Sequence, residues 1–591
     1  MRSLIKPEHW LRVVLALALV LAAIIFLAAL LGSMRFLRPG PGFDYWDAAM
    51  PFLKSAIDGP WHWPLLWEMY GGAYSLLFDR CMFWLEWWIT DFRNSFTLAA
   101  EWLSLFSTAA VAMWAVWKDR YFDNHSRALC VLLVLLACGS GQHMNNLSYT
   151  FNMPSLASVT FCLLFIVGVF HAATSPEKSV QWRNVAVAGV SAVLLASCIF
   201  SLPALLATWC ALALGLRLRL SISVLVAGII IAVTLMYSSG MPTPLLFKLH
   251  YTWSDEPHIE GAVTVWQLVS AMVQFLFQYT GAPLAEYSLS VAGWFSVFVL
   301  LGLLCFAWQQ LRKTHNARSL SLLVWLILGY AVYLLTLDFC TALGRVGSDA
   351  VIAPRYRSYI MPYLMFAGIA AVYYIQKWKG WPRTIASVCL MLVAFLTVLP
   401  AHNRLLNQFS KEYDDYVTPF VAMSVGLSHT DVVHQSRWGI WWAADNKQML
   451  GSRDFLYQHR KGIYAEPYFS QLGQTVSLPA VTSASLAAPV AMEHLPGGGY
   501  QWKGNTEVCG ADGRVALVNN QGVIVGAGLV SRELPSKNWR VNVEVFQPIC
   551  KKGRSVNWTA FLPVETQPGA VLKAVVFDGN TPTVLAQATV P

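Results

Sequence analysis

The sequence predicts a polytopic α-helical membrane protein that carries a smaller β-rich domain at its C-terminal end. Of the 591 residues, 56% are hydrophobic and 12% are charged, and the mean hydropathy is +0.49. Soluble globular proteins contain about 25% charged residues. Long apolar runs fill the first 400 residues, and the 26 tryptophans suit the interface between bilayer and water. After about Val476 short alternating segments replace the long runs.

A helix that crosses a bilayer needs about 20 mostly apolar residues, and about eleven runs approach that length. The first run, Val13 to Met34, contains no charged residue and is too long for the core of a signal peptide, so we expect it to be retained. The predicted helices cover residues 13–34, 96–117, 128–143, 154–173, 184–199, 201–216, 221–238, 288–308, 320–338, 358–376 and 384–400.

Basic loops between these runs predict the orientation. Lysine- and arginine-rich loops face the cytoplasm in most membrane proteins. With eleven crossings every basic loop lies on the same side of the membrane as the N-terminus. We therefore place the N-terminus in the cytoplasm and the protein in a bacterial inner membrane. The net charge of +9 thus reflects orientation in the bilayer, and we predict no nucleic-acid partner. The basic loops are residues 118–127, 175–183, 215–220, 308–318 and 376–383.

The opposite, periplasmic side then holds the loops 35–95, 239–287 and 339–357 and the chain after residue 400. We divide the chain into a transmembrane domain over 1–400 with a large first outer loop, a mixed segment over 401–475, and a β-sandwich-like domain over 476–591. Cys509 and Cys550 both lie in that last domain. Two cysteines on an oxidising side predict a disulfide, and the alternative is a pair of free thiols.

The stretch GFDYWDAAMPF, residues 42–52, brings Asp44 and Asp47 just after the first apolar run. Glu68 and Arg80 follow in the same aromatic loop. Ionisable groups beside apolar surface are costly, so those that persist usually pair or act. The acids are therefore candidates for catalysis or metal binding. The alternative is an amphipathic helix on the membrane with solvated acids.

Two further outer segments concentrate polar groups. Asn146 lies in NNLSYTFNM, residues 145–153, which is either a polar hairpin that reaches toward a cavity or an ordinary turn. His250 lies in FKLHYTWSDEPHIEG, residues 247–261, where no metal-binding spacing such as HExxH occurs. We assign no metal ligand in this sequence.

Three arginines collect in LGRVGSDAVIAPRYRSYIMPY, residues 343–363, against the expected charge bias of an outer loop. Arg345, Arg355 and Arg357 carry planar guanidinium groups, which bind phosphate well. Near the outer lipid headgroups such a cluster predicts a phosphate-linked lipid as ligand. The alternative is contact with headgroups or ion pairing with acids of the first loop.

Together these features resemble the GT-C superfamily of membrane glycosyltransferases, whose members carry an acidic residue in the first outer loop. Asp44 best matches that acid, and Asp47 is the second choice. NLSYTFN (146–152) and GRVGSDAVIAPRYRSY (344–359) are similar to segments of bacterial GT-C-like proteins such as O-antigen serotype-converting glucosyltransferases and pilin glycosyltransferases. Those proteins often carry an Asn-Glu-His-Arg stretch where this chain has GGAYSLLFDR (71–80). The resemblance covers residues 1–400.

The resemblance implies an enzyme that moves a sugar from a polyprenyl-phosphate donor to a surface glycan (O-antigen-like) or a protein acceptor on the periplasmic side. Asp44 or Asp47 would act on the acceptor hydroxyl, and the three arginines would hold the donor phosphate. Tyr356 would stack on the sugar. No cofactor is required, and a divalent metal is optional. The remaining substrate-binding candidates are Glu68, Arg80, Asn146 and His250.

Two other function classes stay open. A transporter or flippase for a lipid-linked glycan predicts charged groups within the helices and internal repeats. A non-catalytic scaffold that presents the β-domain predicts no shared cavity for the outer acids and arginines.

Overall fold

A computed structural model describes most of the chain, and it separates into two compact units. The helical unit comprises Met1–Leu30, His62–Cys81 and Ala99–Leu405, and the C-terminal unit comprises Leu31–Trp61, Met82–Leu98 and Leu406–Pro591. The described residues are 7–40, 45–61, 63–66, 77–148, 153–198, 201–238, 265–314, 317–345, 354–427, 447–465, 471–478, 492–496, 498–509, 513–550, 554–578 and 581–591.

The described helices, numbered along the chain, are α1 (Pro7–Arg35), α2 (Tyr45–Ile57), α3 (Leu77–Ile89), α4 (Ser95–Lys118), α5 (Asn124–Cys138), α6 (Met144–Ser148), α7 (Met153–Thr174), α8 (Lys178–Ala196), α9 (Ser201–Leu216), α10 (Leu220–Ser238), α11 (Val265–Thr280), α12 (Leu289–Thr314), α13 (Leu322–Arg345), α14 (Arg357–Ile375), α15 (Trp381–Ser424), α16 (Lys447–His459) and α17 (Val541–Glu544). Short 3-10 turns stand before several of them, including Gly141–His143 and Pro354–Tyr356.

Each of the eleven apolar runs forms a helix, but fewer of the helices meet the length and hydropathy expected of a membrane span. Within the described ranges eight do: Pro7–Arg35, Ser95–Lys118, Asn124–Leu147, Met153–Thr174, Leu289–Thr314, Leu322–Ala342, Arg357–Ile375 and Trp381–Ser424. Ser201–Leu216 and Leu220–Ala232 are shorter apolar helices. The protein is therefore a helical membrane protein, and the count of eleven crossings stays a prediction.

Segments predicted as loops contain helices. Helices α2 and α3 lie within the expected outer loop 35–95, and α11 lies within the expected loop 239–287. The helix predicted over 384–400 continues to Ser424, so it runs well into the segment expected to be mixed. In α11 one side of the helix packs on its neighbours: Phe275 and Tyr279 are buried beside Ala342 and Ile360. Such a one-sided apolar pattern favours a helix without needing a continuous apolar run.

The C-terminal unit contains seven strands in one antiparallel sheet rather than the two packed sheets of the expected sandwich. The sheet order is β1-β2-β5-β4-β3-β6-β7. One face buries Trp502 and Trp558, whose ring centroids lie 5.4 Å apart. The strands are β1 (Met492–His494), β2 (Tyr500–Thr506), β3 (Arg514–Asn519), β4 (Ile524–Val530), β5 (Val556–Leu562), β6 (Val571–Asp578) and β7 (Thr581–Thr589).

Two features of this unit can be compared with the sequence-based predictions. The run WRVNVEVF (539–546) alternates as a strand of the predicted β-rich domain would, but its residues Val541–Glu544 form the short helix α17. Val541 and Val545, four residues apart, are both buried. Cys509 and Cys550 form a disulfide, as predicted, with their Cα atoms 5.5 Å apart. The disulfide joins the loop after β2 to the segment before β5, and these two strands are neighbours in the sheet.

Candidate functional site

A buried network of hydrogen bonds in the helical unit joins two segments that the sequence singled out. Asn146 donates from Nδ2 to the carbonyl oxygen of Arg355 at 3.0 Å and to Ser358 Oγ at 2.7 Å. Helix α6 thus packs on the start of α14, more than 200 residues away in sequence. The expected hairpin therefore begins as a turn of helix at the network, while residues 149–152 of NLSYTFN lie outside the described residues.

His143 extends the network and its partners define its tautomer. Its Nε2 lies 2.6 Å from the carbonyl oxygen of Ala137, which can only accept, so Nε2 carries the proton. Nδ1 then accepts from Ser358 Oγ at 3.0 Å. Ser358 in turn accepts from Asn146, so both functions of its hydroxyl group are used. His143 is completely buried, and its two hydrogen-bond partners fix the orientation of its ring.

A carboxylate between two arginines lies beside this network. Glu286 Oε1 accepts from Arg357 Nη2 at 2.8 Å and from Arg404 Nη2 at 2.6 Å. Arg357 also donates from Nη1 to Gln142 Oε1 at 3.1 Å. The side chain of Arg357 is 2% exposed, whereas that of Arg404 is 48% exposed. The structure therefore gives Arg357, a predicted phosphate ligand, an internal partner, and it adds Arg404 as an accessible cation that sequence reasoning missed.

Arg355 and Tyr356 form the 3-10 turn that leads into α14. The Arg355 guanidinium lies 5.1 Å from the centroid of the Tyr356 ring, and that ring lies 5.5 Å from the ring of Tyr279. Both side chains are half-buried. A guanidinium next to an aromatic face is partly desolvated, which strengthens its attraction for an anion.

Asp338 is a buried carboxylate that the sequence analysis did not single out. It lies in α13, is completely buried, and neither of its oxygens has a hydrogen-bond partner. Burial, followed by the charge of the Asp338 carboxylate, raises the pKa of Tyr279 well above its usual range, so the two groups are close. A lone aspartate in the apolar run LLTLDFC was the available signal, because ionisable groups at such positions are expensive and usually functional.

An apolar cavity of about 320 Å³ lies next to the hydrogen-bond network. It is enclosed by α5, α12, α14 and α15, and its lining includes Phe298, Met361 and Val393. Two residues of its lining also belong to the network: the carbonyl of Ala137 accepts from His143, and that of Thr397 accepts from Gln142 Nε2 at 3.1 Å. The apolar space thus borders a group of hydrogen-bonded polar side chains.

The first outer loop places Arg80 in the interior of the helical unit. Its Nη1 donates to the carbonyl oxygen of Leu65 at 2.6 Å, and the residue is 5% exposed. The adjacent Asp79 is buried, and burial raises its pKa well above the usual range while Arg80 opposes this change. Arg80 therefore anchors the loop, and its contact with substrate stays a prediction.

The remaining predicted site residues have side chains that the structure does not describe. Asp44, Glu68 and His250 lie outside the described residues. Asp47 belongs to α2 and Arg345 ends α13, and the structure describes only their place on these helices. Among the described residues, no group of three or more His, Cys, Asp or Glu side chains could hold a metal ion.

No family model, no curated protein and no solved structure matches the chain.

Proposed function

We propose that the protein is an inner-membrane glycosyltransferase that moves a sugar from a polyprenyl-phosphate donor to a surface glycan or protein acceptor at the periplasmic face. The observation that carries the proposal is the apolar cavity of about 320 Å³, two of whose lining residues hydrogen-bond to the buried polar network. An isoprenoid chain needs an apolar space, and its phosphate needs a polar, cationic group at one end. The cavity supplies the first, and the start of α14 supplies the second.

The donor phosphate lies near Arg355 and Arg404 in this proposal, with Arg345 as the third cation that the resemblance implies. Arg404 is half-exposed, and its link to Glu286 holds it beside the start of α14. During transfer the bond between the anomeric carbon and the phosphate oxygen breaks, and negative charge grows on the departing polyprenyl phosphate. Fixed guanidinium groups stabilise that charge because they are already oriented before the reaction.

The acceptor hydroxyl attacks the anomeric carbon and loses its proton to a carboxylate. Asp44, or Asp47 as second choice, takes this role by its place in the first outer loop. Asp338 is a further carboxylate and belongs to the helical unit. Polyprenyl phosphate leaves readily, so no step of this scheme depends on a metal.

The test compares Arg355→Ala and Asp44→Asn with Arg219→Ala, an exposed arginine on a basic loop. Membrane vesicles would receive a radiolabelled polyprenyl-phosphate sugar, and transfer to acceptor would be measured together with protein level. We expect at least a hundredfold loss of transfer in the first two variants, because single charge-stabilising groups contribute about that much. Equal transfer in all three variants would exclude the proposed roles.

A lipid-linked glycan transporter is the second candidate, and Asp338 favours it, because buried ionisable groups within helices often mark a path for substrates. The same vesicles distinguish the two. A transporter changes the side on which the labelled lipid is found but leaves the bond between sugar and phosphate intact.

A further inference from the structure

A second cavity, of about 220 Å³, lies within the C-terminal unit and has the opposite character. Its lining is largely polar and includes three arginines, Arg93, Arg514 and Arg532. Ser95 and Tyr413 lie between them. None of these residues took part in the sequence analysis or in the proposed transfer reaction.

The fold brings the arginines together from separate parts of the chain. Arg514 begins β3 and pairs with Leu529 near the end of the adjacent strand β4, and Arg532 follows that strand. The backbone N–H of Val530 donates to Gly513 O at 2.7 Å, which fixes both strand ends side by side. Arg93 comes from the turn before α4 and completes the set.

Hydrogen bonds to carbonyl groups hold two of these guanidiniums in place. Arg532 Nη1 donates to Arg35 O at 2.9 Å, and its guanidinium lies 4.4 Å from the centroid of the Tyr413 ring. Arg93 Nη2 donates to Ala465 O at 2.6 Å. These hydrogen bonds orient both guanidinium groups at the cavity.

Further charged groups lie near these arginines. Arg532 and Arg554 lie within electrostatic range of Arg35. The carboxylate of Asp414 also lies here, and it accepts from Ser531 Oγ at 2.5 Å and from the backbone N–H of Arg532 at 3.0 Å. Glu533 lies within electrostatic range of Asp414, so basic and acidic side chains both occur in this part of the C-terminal unit.

We propose that this cavity binds a phosphate oxyanion, supplied by the headgroup of an anionic membrane lipid. Planar guanidiniums match phosphate oxygens in pairs, and three of them around one small polar space form a site for that group. The location favours a lipid, because the lining includes Met34 and Leu37, at the end of the apolar helix α1. Headgroups lie where such a helix leaves the hydrocarbon layer. The proposal does not depend on the glycosyltransferase function.

The experiment uses the full chain in detergent. Native mass spectrometry would measure the binding of phosphatidylglycerol and of phosphatidylcholine to wild type, Arg514→Gln and Ser95→Glu. Ser95→Glu inserts a negative charge into the cavity at the first residue of α4, where an acid favours the helix, so folding should be retained. Arg540→Gln, an exposed arginine of the same unit, is the matched control. Unfolding temperatures would verify that each variant is folded.

We expect wild type and Arg540→Gln to prefer phosphatidylglycerol, and both cavity variants to bind it about tenfold more weakly, since each loses or opposes a charge-assisted contact. A different outcome would assign free phosphate as the source. Inorganic phosphate would then shift the unfolding temperature of wild type and Arg540→Gln but not of the cavity variants, and no variant would prefer one lipid. Equal lipid binding in all variants would overturn the proposal. Binding of an acidic, phosphate-free oligosaccharide in place of either would overturn it as well.

Discussion

At the scale of single residues, the helical unit places its cations in two distinct environments around one carboxylate. Arg357 and Arg404 share Glu286 Oε1, but the first is buried and the second is half-exposed. The two arginine–glutamate ion pairs should therefore contribute differently to the free energy of unfolding. Burying an ion pair costs desolvation free energy, which the contact offsets only while both partners are present. An exposed pair is screened by water and contributes little.

Replacement of each arginine by methionine, in separate variants, should show how much each ion pair contributes to the free energy of unfolding. We expect Arg357→Met to lower the free energy of unfolding by about 3 kcal/mol, because Gln142 and Glu286 each lose a buried partner. Arg404→Met should cost less than about 1 kcal/mol. Thermal unfolding in detergent measures both. Similar losses in the two variants would contradict this account of burial.

A second prediction at this scale concerns Asp123, which caps α5. Burial would raise its pKa, but hydrogen bonds from the Ser126 backbone N–H and from Arg383 outweigh burial, so the pKa lies below its ordinary value of 3.8. A carboxyl group with a lowered pKa in the folded state stabilises the protein at pH values above the ordinary pKa. This stabilisation is lost as the pH falls through the lower, folded value.

Asp123→Asn should keep the helix cap, because asparagine caps helices as well as aspartate does, and lose the ion pair with Arg383. We expect the variant to unfold at a lower temperature than wild type at pH 5 to 7, and the difference to vanish as the pH falls below about 4. Unfolding curves over this pH range measure the effect. A difference that persists at the lowest pH would show that the ion pair is not its cause.

At the scale of elements, the sheet of the C-terminal unit combines two means of stabilisation. One is the packing of Trp502 against Trp558 on paired strands β2 and β5. The other is the disulfide, which closes a loop of the same two strands with a sequence separation of 41 residues. A crosslink of that length limits the unfolded chain, and in the chain-entropy account it contributes about 4 kcal/mol.

Replacement of both cysteines by serine should therefore lower the stability of this unit by about 2 to 4 kcal/mol. Tryptophan fluorescence during heating would measure the unfolding of this unit, because Trp502 and Trp558 are buried in the sheet. Cys81→Ser, which removes a free thiol, is the control. Unfolding of wild type that is unaffected by a reductant under denaturing conditions would contradict the prediction.

Elements differ in how well the sequence predicts them, and the reasons are physical. Long apolar runs specify helices by themselves, and each of the eleven runs is helical. Helices α2, α3 and α11 were not predicted, because their apolar residues cover only part of the helix surface and form no continuous apolar run. WRVNVEVF alternates like a strand, yet valine at positions 541 and 545 fits one helical face equally well. Period alone cannot decide between the two for a short segment.

The candidate site was predicted in part. The two polar segments that the sequence singled out, around Asn146 and Ser358, meet in the structure, while the role of their residues stays a prediction. Which partner each charge selects could not be read from the sequence, because partners such as Glu286 and Arg357 are 71 residues apart. Asp338 was missed for a different reason: it stands alone at the edge of an apolar run, without a motif around it.

At the scale of the whole molecule, the number of membrane crossings decides on which side each end lies. Eleven crossings place the N-terminus and the C-terminal unit on opposite sides, whereas the eight helices that meet the criteria for a span would place them on the same side. The helices α8, α9 and α10 account for the difference. The basic loops and the disulfide favour an odd number.

Fusion of alkaline phosphatase after Pro591 would test this, because the enzyme is active only in the periplasm. We expect an active fusion, and we expect a fluorescent protein that folds only in the cytoplasm to stay dark at the same position. A dark phosphatase and a bright fluorescent protein would mean an even number of crossings. Fusions after Arg183 and Arg219 would then show which of the short helices does not cross.

Helix α15 is fixed at both ends of its uncharged part. Arg383 bonds Asp123 at one end, Arg404 bonds Glu286 at the other, and the about 20 residues between them carry no charged side chain. At 1.5 Å per residue this stretch is about 30 Å long, the thickness of the hydrocarbon layer. Contacts at both ends favour one position of the helix relative to its neighbours, so a bilayer of another thickness should deform around the protein. The protein should therefore be most stable in lipids whose acyl chains match this length.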